Sequence, residues 1–166
     1  LMEYNFKSHE GLYTDMNAIR AAEEPDNTHS FYVDQWDWEL IIDKKDRTEA
    51  YLKHVVNIIY RTMKSLDEYL CGLIPTRSKL LKDQIRFITS EEFLLKYPDK
   101  TPKERERLAT KEYGTIFLSQ IGTILSDGNK HDNRAPDYDD WLLNGDIIVY
   151  NPVLDDALEL SSMGIR

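Results

Sequence analysis

The 166-residue chain contains a single cysteine, Cys71. No internal disulfide can form, which fits a reducing compartment. No stretch approaches the roughly twenty apolar residues that a membrane span requires. The opening Leu1-Met2-Glu3-Tyr4 has neither the basic stretch nor the apolar run of a secretory signal. These absences predict a cytoplasmic protein with no membrane partner. Clustered positive charge is missing as well. The net charge is −9, and residues 44–47 and 103–107 mix bases with acids, which reads as solvated helical faces rather than a phosphate-binding stripe. Nucleic acid is therefore not an expected partner. ATP is not excluded, because a few placed basic groups and a metal ion suffice to hold it.

Familiar site patterns are absent too. There is no P-loop, no dinucleotide glycine fingerprint, no nucleophile elbow and no cysteine-histidine zinc spacing. No repeat, low-complexity segment or linker divides the chain, so a single domain over residues 1–166 is expected. With 41% hydrophobic and 11% aromatic residues, the chain has enough apolar material for a core.

Extended segments are expected at 11–20 and 30–38, separated by the turn-forming Glu23-Glu24-Pro25-Asp26-Asn27. A long helix follows at 47–70, where Leu52, Val55, Val56, Ile59, Met63, Leu66 and Leu70 recur at three- and four-residue steps and define one buried face. Lys53, Asn57, Arg61 and Lys64 point the other way, and Gly72 supplies a stop. A strand is expected at 85–88. Thr89 and Glu92 have capping-box spacing for a short helix that Pro98 ends. Thr101-Pro102-Lys103-Glu104 repeats that device for a helix ending at Gly114. Residues 115–121, 146–150 and 157–163 are β-rich apolar runs. Strands clustered around helices without regular alternation predict an α+β fold with a largely antiparallel sheet flanked by helices.

Three segments carry polar groups in patterns suited to chemistry. Gln35, Asp37 and Glu39 share one face of their strand beside Trp36 and Trp38. They form either a solvated sheet face or a floor offering a carboxylate to an amine and an amide to a carboxylate, with Arg20 available for a phosphate. Asp137, Asp139 and Asp140 form either an exposed charge run or a ligand loop; the neighbouring His131 and Asp132 match no defined metal site and read as structural or exposed. In Leu158-Glu159-Leu160-Ser161-Ser162, strict alternation puts Glu159 and Ser161 on one face and Leu158, Leu160 and Ser162 on the other. A carboxylate set between leucines requires a partner such as a metal, an arginine or hydroxyls. Cys71 has no histidine or basic activator nearby in sequence and reads as packing.

Gly11-Leu12-Tyr13-Thr14, residues 32–39, 126–141 and 144–166 resemble the signatures of the ammonia-dependent asparagine synthetases. The resemblance continues through Asp83-Gln84-Ile85, Tyr97-Pro98-Asp99 and Arg105-Glu106-Arg107, and so covers the chain end to end. Its most specific part is Asn151-Pro152-Val153-Leu154 together with Ser161-Ser162-Met163-Gly164-Ile165-Arg166. It implies a catalytic core of the class II aminoacyl-tRNA synthetase type, in a homodimer. It also implies ATP and Mg²⁺, a β-aspartyl-adenylate made with release of pyrophosphate, and attack by ammonia to give asparagine and AMP. By the same resemblance Arg20 holds the α-phosphate, and Gln35 and Asp37 grip the α-carboxylate and α-amine of aspartate. Asp139 and Asp146 lie at the adenylate site, and Glu159 with Ser162 forms a strand serving metal, phosphate and aspartate. Arg166 is a further basic residue of the catalytic centre.

The family carries further chain before Leu1, with a lysine for the reacting carboxylate, and after Arg166, with a glycine-rich segment and an ATP-binding arginine. The join at Trp141-Leu142-Leu143-Asn144 is also shorter than in the family. These residues are therefore expected to be the central part of a longer protein, inactive alone and active within the parent. Two other readings stay open: an aspartyl- or asparaginyl-tRNA synthetase core, and a non-catalytic paralogue that binds aspartate or an adenylate.

Overall fold

The computed structural model describes residues 4–134 and 140–166, and the chain divides into two compact units, Leu1–Asp46 and Arg47–Arg166. The first unit is a two-stranded antiparallel ribbon of β1 (Gly11–Ile19) and β2 (Tyr32–Leu40), with Thr14 opposite Asp37 and Met16 opposite Gln35. Both strands lie within two residues of the expected spans. Asp26 turns the chain between them by accepting the N–H groups of Thr28 at 2.7 Å and His29 at 2.8 Å, a local side-chain bond that favours turns. Lys44–Asp46 is a short 3₁₀ helix with no buried residue, solvated as its charges suggested.

In the second unit, α1 (Glu49–Leu73) opens at the N-cap Thr48, whose hydroxyl accepts the Tyr51 N–H. Its buried stripe is Leu52, Val56, Tyr60 and Asp67, while Leu66 is 53% exposed. The stripe is thus rotated from the all-apolar row expected, because two polar residues have specific partners inside. Tyr60 donates to the Lys82 carbonyl at 2.6 Å. Asp67 accepts the N–H groups of Leu80 (2.8 Å) and Leu81 (2.9 Å) and the guanidinium of Arg77 (2.6 Å). Arg77 also lies 3.7 Å from Cys71 Sγ, a basic neighbour that sequence spacing did not reveal. The helix does not stop at Gly72 but continues through it, and Ile74 caps the end by donating to the Leu70 carbonyl.

The strand β3 (Arg86–Thr89) leads into α2 (Ser90–Lys96) and α3 (Pro102–Tyr113), and β4 (Thr115–Ser119) follows. Both predicted capping boxes are formed, Thr89 with Glu92 and Thr101 with Glu104. Strand β4 ends at Ser119 instead of residue 121 because Gln120 takes a positive φ of 62°. With β5 (Asn144–Asn151) and β6 (Asp156–Gly164), the strands form a sheet in the order β3-β4-β5-β6. The β3–β4 pair is parallel and the other ladders are antiparallel, so the fold is α+β with a mixed sheet. The parallel pair follows from the chain crossing over through α2 and α3. Those helices cover one face, where Phe93 and Ala109 pack on Ile88, Ile116, Leu118 and Ile148. Near the other face, Met63, Leu66 and Leu70 of α1 line a cavity of about 240 Å³ together with Val149, Leu158 and Leu160. No helix among the described residues is long and apolar enough to cross a membrane.

The β5–β6 ladder contains one irregularity. Ile147 pairs with Ser161 and Ile148 with Glu159, leaving Leu160 bulged. Directly opposed residues of an antiparallel pair share a face, so Glu159 and Ser162 lie on the same face as Asp146. Strict alternation had placed Glu159 and Ser162 on opposite faces. The extra residue in the bulge corrects that expectation by resetting the side-chain period.

Candidate active site

Asp146 stands at the centre of the sheet, with Leu118 opposite on β4 and Ser162 opposite on β6. It is only 6% exposed. Arg134, from the loop before β5, brings Nη2 to 2.5 Å and 2.6 Å of the two Asp146 oxygens and donates from Nη1 to Ser162 Oγ at 3.0 Å. Burial pushes the Asp146 carboxyl above the usual range, and Arg134 and Ser162 offset that only in part. Glu159 keeps an exposed side, yet the protein crowded around its carboxyl, and then the negative charge of Asp146, raise it as well.

Behind these groups lies Glu106 of α3, 7% exposed. Burial alone would raise its carboxyl, but the hydrogen bond from His131 and the charge of Lys103 outweigh burial and hold it below the usual range. His131 Nε2 lies 2.9 Å from Glu106 Oε1, and Lys103 Nζ donates to Oε2 at 3.1 Å. The His131 side chain is 1% exposed, with its ring edge-to-face on Phe93 at 6.0 Å. The result is a shelf of three carboxylates interleaved with Arg134 and Lys103. Such alternation holds an anionic ligand and a cation together, each sign compensating the other.

The expected residues fall in both units. Asp146, Glu159 and Ser162 are brought together on the shelf. Arg166 is exposed at the end of the second unit, and its carbonyl accepts from Arg47 Nη1 at 2.6 Å while Arg47 Nη2 pairs with Asp140 at 2.9 Å. Asp137 and Asp139 lie outside the described residues. On the ribbon, Gln35 is half-buried and Asp37 exposed, on one face with Met16 and Thr14. Asp37 Oδ1 accepts the Trp38 N–H at 3.2 Å, and Arg20, just past β1, reaches Glu23 at 3.4 Å.

Sequence reasoning singled out neither Arg134 nor Glu106, and took His131 as structural or exposed. In the 103–107 segment Lys103, Glu104 and Arg107 are exposed as its charges suggested, but the two residues between Glu104 and Arg107 are not. Arg105 and Glu106 are 5% and 7% exposed, with Arg105 Nε donating to the Tyr97 carbonyl at 3.2 Å. Periodicity carries no signal for this, because buried charges paired across the fold resemble exposed ones in sequence. The available pointer was that Arg105-Glu106-Arg107 and residues 126–141 both belong to the resemblance quoted above.

The shelf donors are carboxylate and hydroxyl oxygens, a set suited to a hard divalent cation such as Mg²⁺. A second cluster, His9 with Asp43 and Asp46, gathers its ligand atoms within 4.8 Å, but Lys45 lies 3.3 Å from Asp43 and supplies a cation of its own.

A family model described as aspartate-ammonia ligase matches residues 1–166. The aspartate–ammonia ligase of Fusobacterium nucleatum subsp. nucleatum is 58% identical over 166 residues, covering 100% of this chain and 51% of that protein. Those of Clostridium tetani, at 57% identity with 49% covered, and Bacillus cytotoxicus, at 55% with 51% covered, match the whole chain likewise. The chain spans about half the length of the curated relatives it matches. With the match unbroken from the ribbon through the carboxylate shelf, the chain belongs to the aspartate–ammonia ligase family.

Proposed function

We propose that these residues are the central part of the catalytic domain of an ATP-dependent ligase that amidates aspartate with ammonia, and that this domain is of the class II aminoacyl-tRNA synthetase type in a cytoplasmic homodimer. Family membership along the whole chain carries the reading, and the charge-compensated shelf of Asp146, Glu159, Ser162 and Arg134 agrees with it. The aspartate side-chain carboxylate attacks the α-phosphorus of ATP, and the bond to pyrophosphate breaks. Ammonia then attacks the acyl carbon of the β-aspartyl-adenylate, the bond to AMP breaks, and nitrogen loses a proton to give asparagine.

Arg20 offsets the charge on the α-phosphate, where its planar fork suits two oxygens. Gln35 donates its amide N–H to the α-carboxylate of aspartate, and Asp37 attracts the α-ammonium. Polar anchoring matters here, since excluding one extra methylene is worth only about 1–3 kcal/mol. Asp139 and Asp146 take the adenylate side, Ser162 donates to the ligand, and Arg166 adds positive charge at the centre. Glu159 would hold Mg²⁺, and the ion would supply positive charge to offset the phosphate oxygens. Arg134 keeps Asp146 from repelling the nucleotide, because a buried carboxylate beside phosphate otherwise opposes binding.

The test is AMP and pyrophosphate release by the full-length parent with ATP and aspartate, with and without ammonium and without tRNA. Asparagine and AMP formed together only with ammonium support the reading. Binding of aspartate or nucleotide with no turnover removes the enzyme claim and leaves a binding paralogue.

A further inference from the structure

We propose that the buried Glu106–His131 pair is a positioning device that sets Arg134 against Asp146 and Ser162. The inference deepens the proposed function and rests on its placing of the nucleotide at this shelf. Arg134 ends a loop whose Ser126 N–H is tied to Glu91 Oε2 at 3.0 Å, and whose backbone bonds nearer Arg134 are local: Leu125 N–H to the Asn129 carbonyl at 2.7 Å, and Asp132 N–H to the Ile121 carbonyl at 3.3 Å. Neither local bond fixes the direction in which the loop presents a side chain three residues beyond His131. The His131 side chain supplies that direction. It enters the interior at 1% exposure, packs on Phe93 and meets Glu106, which the capped helix α3 holds in place.

A buried ionisable pair is a poor device for stability alone, since an apolar pair of similar volume does as well or better. What it adds is geometry, because a hydrogen bond between two fixed groups admits one arrangement whereas apolar contact admits several. That geometry is transmitted over three residues to a guanidinium holding both oxygens of Asp146 and the hydroxyl of Ser162. Glu106 and His131 make no hydrogen bond to Asp146 or Ser162 among the described residues; the Glu106 charge is felt at Asp146 and Glu159, but the aim of the guanidinium is set through the loop that carries Arg134.

The experiment is a double-mutant cycle in the full-length parent, with Glu106→Gln, Arg134→Ala and the two combined. Asparagine formation is followed for kcat and KM, ATP affinity is read by calorimetry in MgCl₂, and thermal unfolding is measured in parallel. Glu106→Gln is expected to lower kcat/KM about 10- to 100-fold, as a misaimed group at a site does, beyond whatever follows from the lower unfolding temperature that a broken buried pair brings. It should lose nothing further once Arg134 is alanine, because coupled residues are non-additive. His131→Gln should behave like Glu106→Gln. If Glu106→Gln lowers activity by the same factor with or without Arg134, in step with lost stability, the pair is structural only and the proposal fails. A parent that binds ATP but makes no asparagine overturns the ligase reading alone, and the cycle on ATP affinity still decides the positioning role. A parent that neither binds ATP nor makes asparagine overturns both.

Discussion

Glu159 pairs across the sheet with Ile148, while Leu160 beside it is bulged out of register. That one extra residue sets Glu159 on the face of Asp146 and Ser162 and brings two carboxylates into mutual repulsion there.

Replacement of Glu159 by glutamine is therefore expected to stabilise the ligand-free protein at neutral pH while removing activity. Glu159 is raised by its crowded surroundings and by Asp146. A carboxyl raised in the folded state contributes stability that is fully present below its unfolded value, about 4.3, and lost as pH rises through the folded value. The variant lacks that loss. Its unfolding temperature should exceed the parent's at pH 7, and the two should converge near pH 4. A variant less stable than the parent at pH 7 would contradict the repulsion.

Arg134→Leu leaves Asp146 buried without its cation, a change expected to cost about 3 kcal/mol at neutral pH. The penalty should shrink on acidification, because Asp146, already raised by burial, then takes a proton. Denaturant unfolding between pH 5 and 8 checks this. Adding Asp146→Asn should recover part of the loss, since the two changes share one interaction.

Asp67→Asn should cost about 2 kcal/mol, the scale of a charged acceptor lost from buried donors. Burial alone would raise Asp67, but the N–H groups of Leu81 and Leu80 and the Arg77 guanidinium outweigh it and leave the carboxyl lowered. A lowered carboxyl contributes stability above its unfolded value and loses it as pH falls through the folded one. The gap between variant and parent, followed by thermal unfolding, should be full at pH 6 and narrow toward pH 2. A gap independent of pH would mean that shape rather than charge holds the loop.

Gly145→Ala tests the close approach of β4 and β5 next to Asp146. An added Cβ would lie 2.4 Å from the Leu118 carbonyl oxygen and 2.6 Å from the Phe117 ring. Neither neighbour yields freely in a packed sheet, so a loss of about 1–3 kcal/mol is expected, with reduced ATP affinity as Asp146 shifts. Denaturant unfolding with calorimetry on the same variant reads both effects.

Much of this protein was legible because its signals are local. Thr89 with Glu92 and Thr101 with Glu104 satisfy helix ends three residues apart, and such bonds form wherever the helix does. The ribbon, the long helix and the later strands were visible for the same reason: two- and four-residue periods depend on neighbours in sequence. The tertiary structure decided what depends on residues far apart. It rotated α1 so that Asp67 points inward to Leu80, Leu81 and Arg77. It placed Arg134 on Asp146 and buried Glu106 with His131. It also bulged Leu160, moving Glu159 to the face of Ser162. A charge in sequence gives no sign of whether a partner waits across the core, and the period of a strand holds only until the ladder slips.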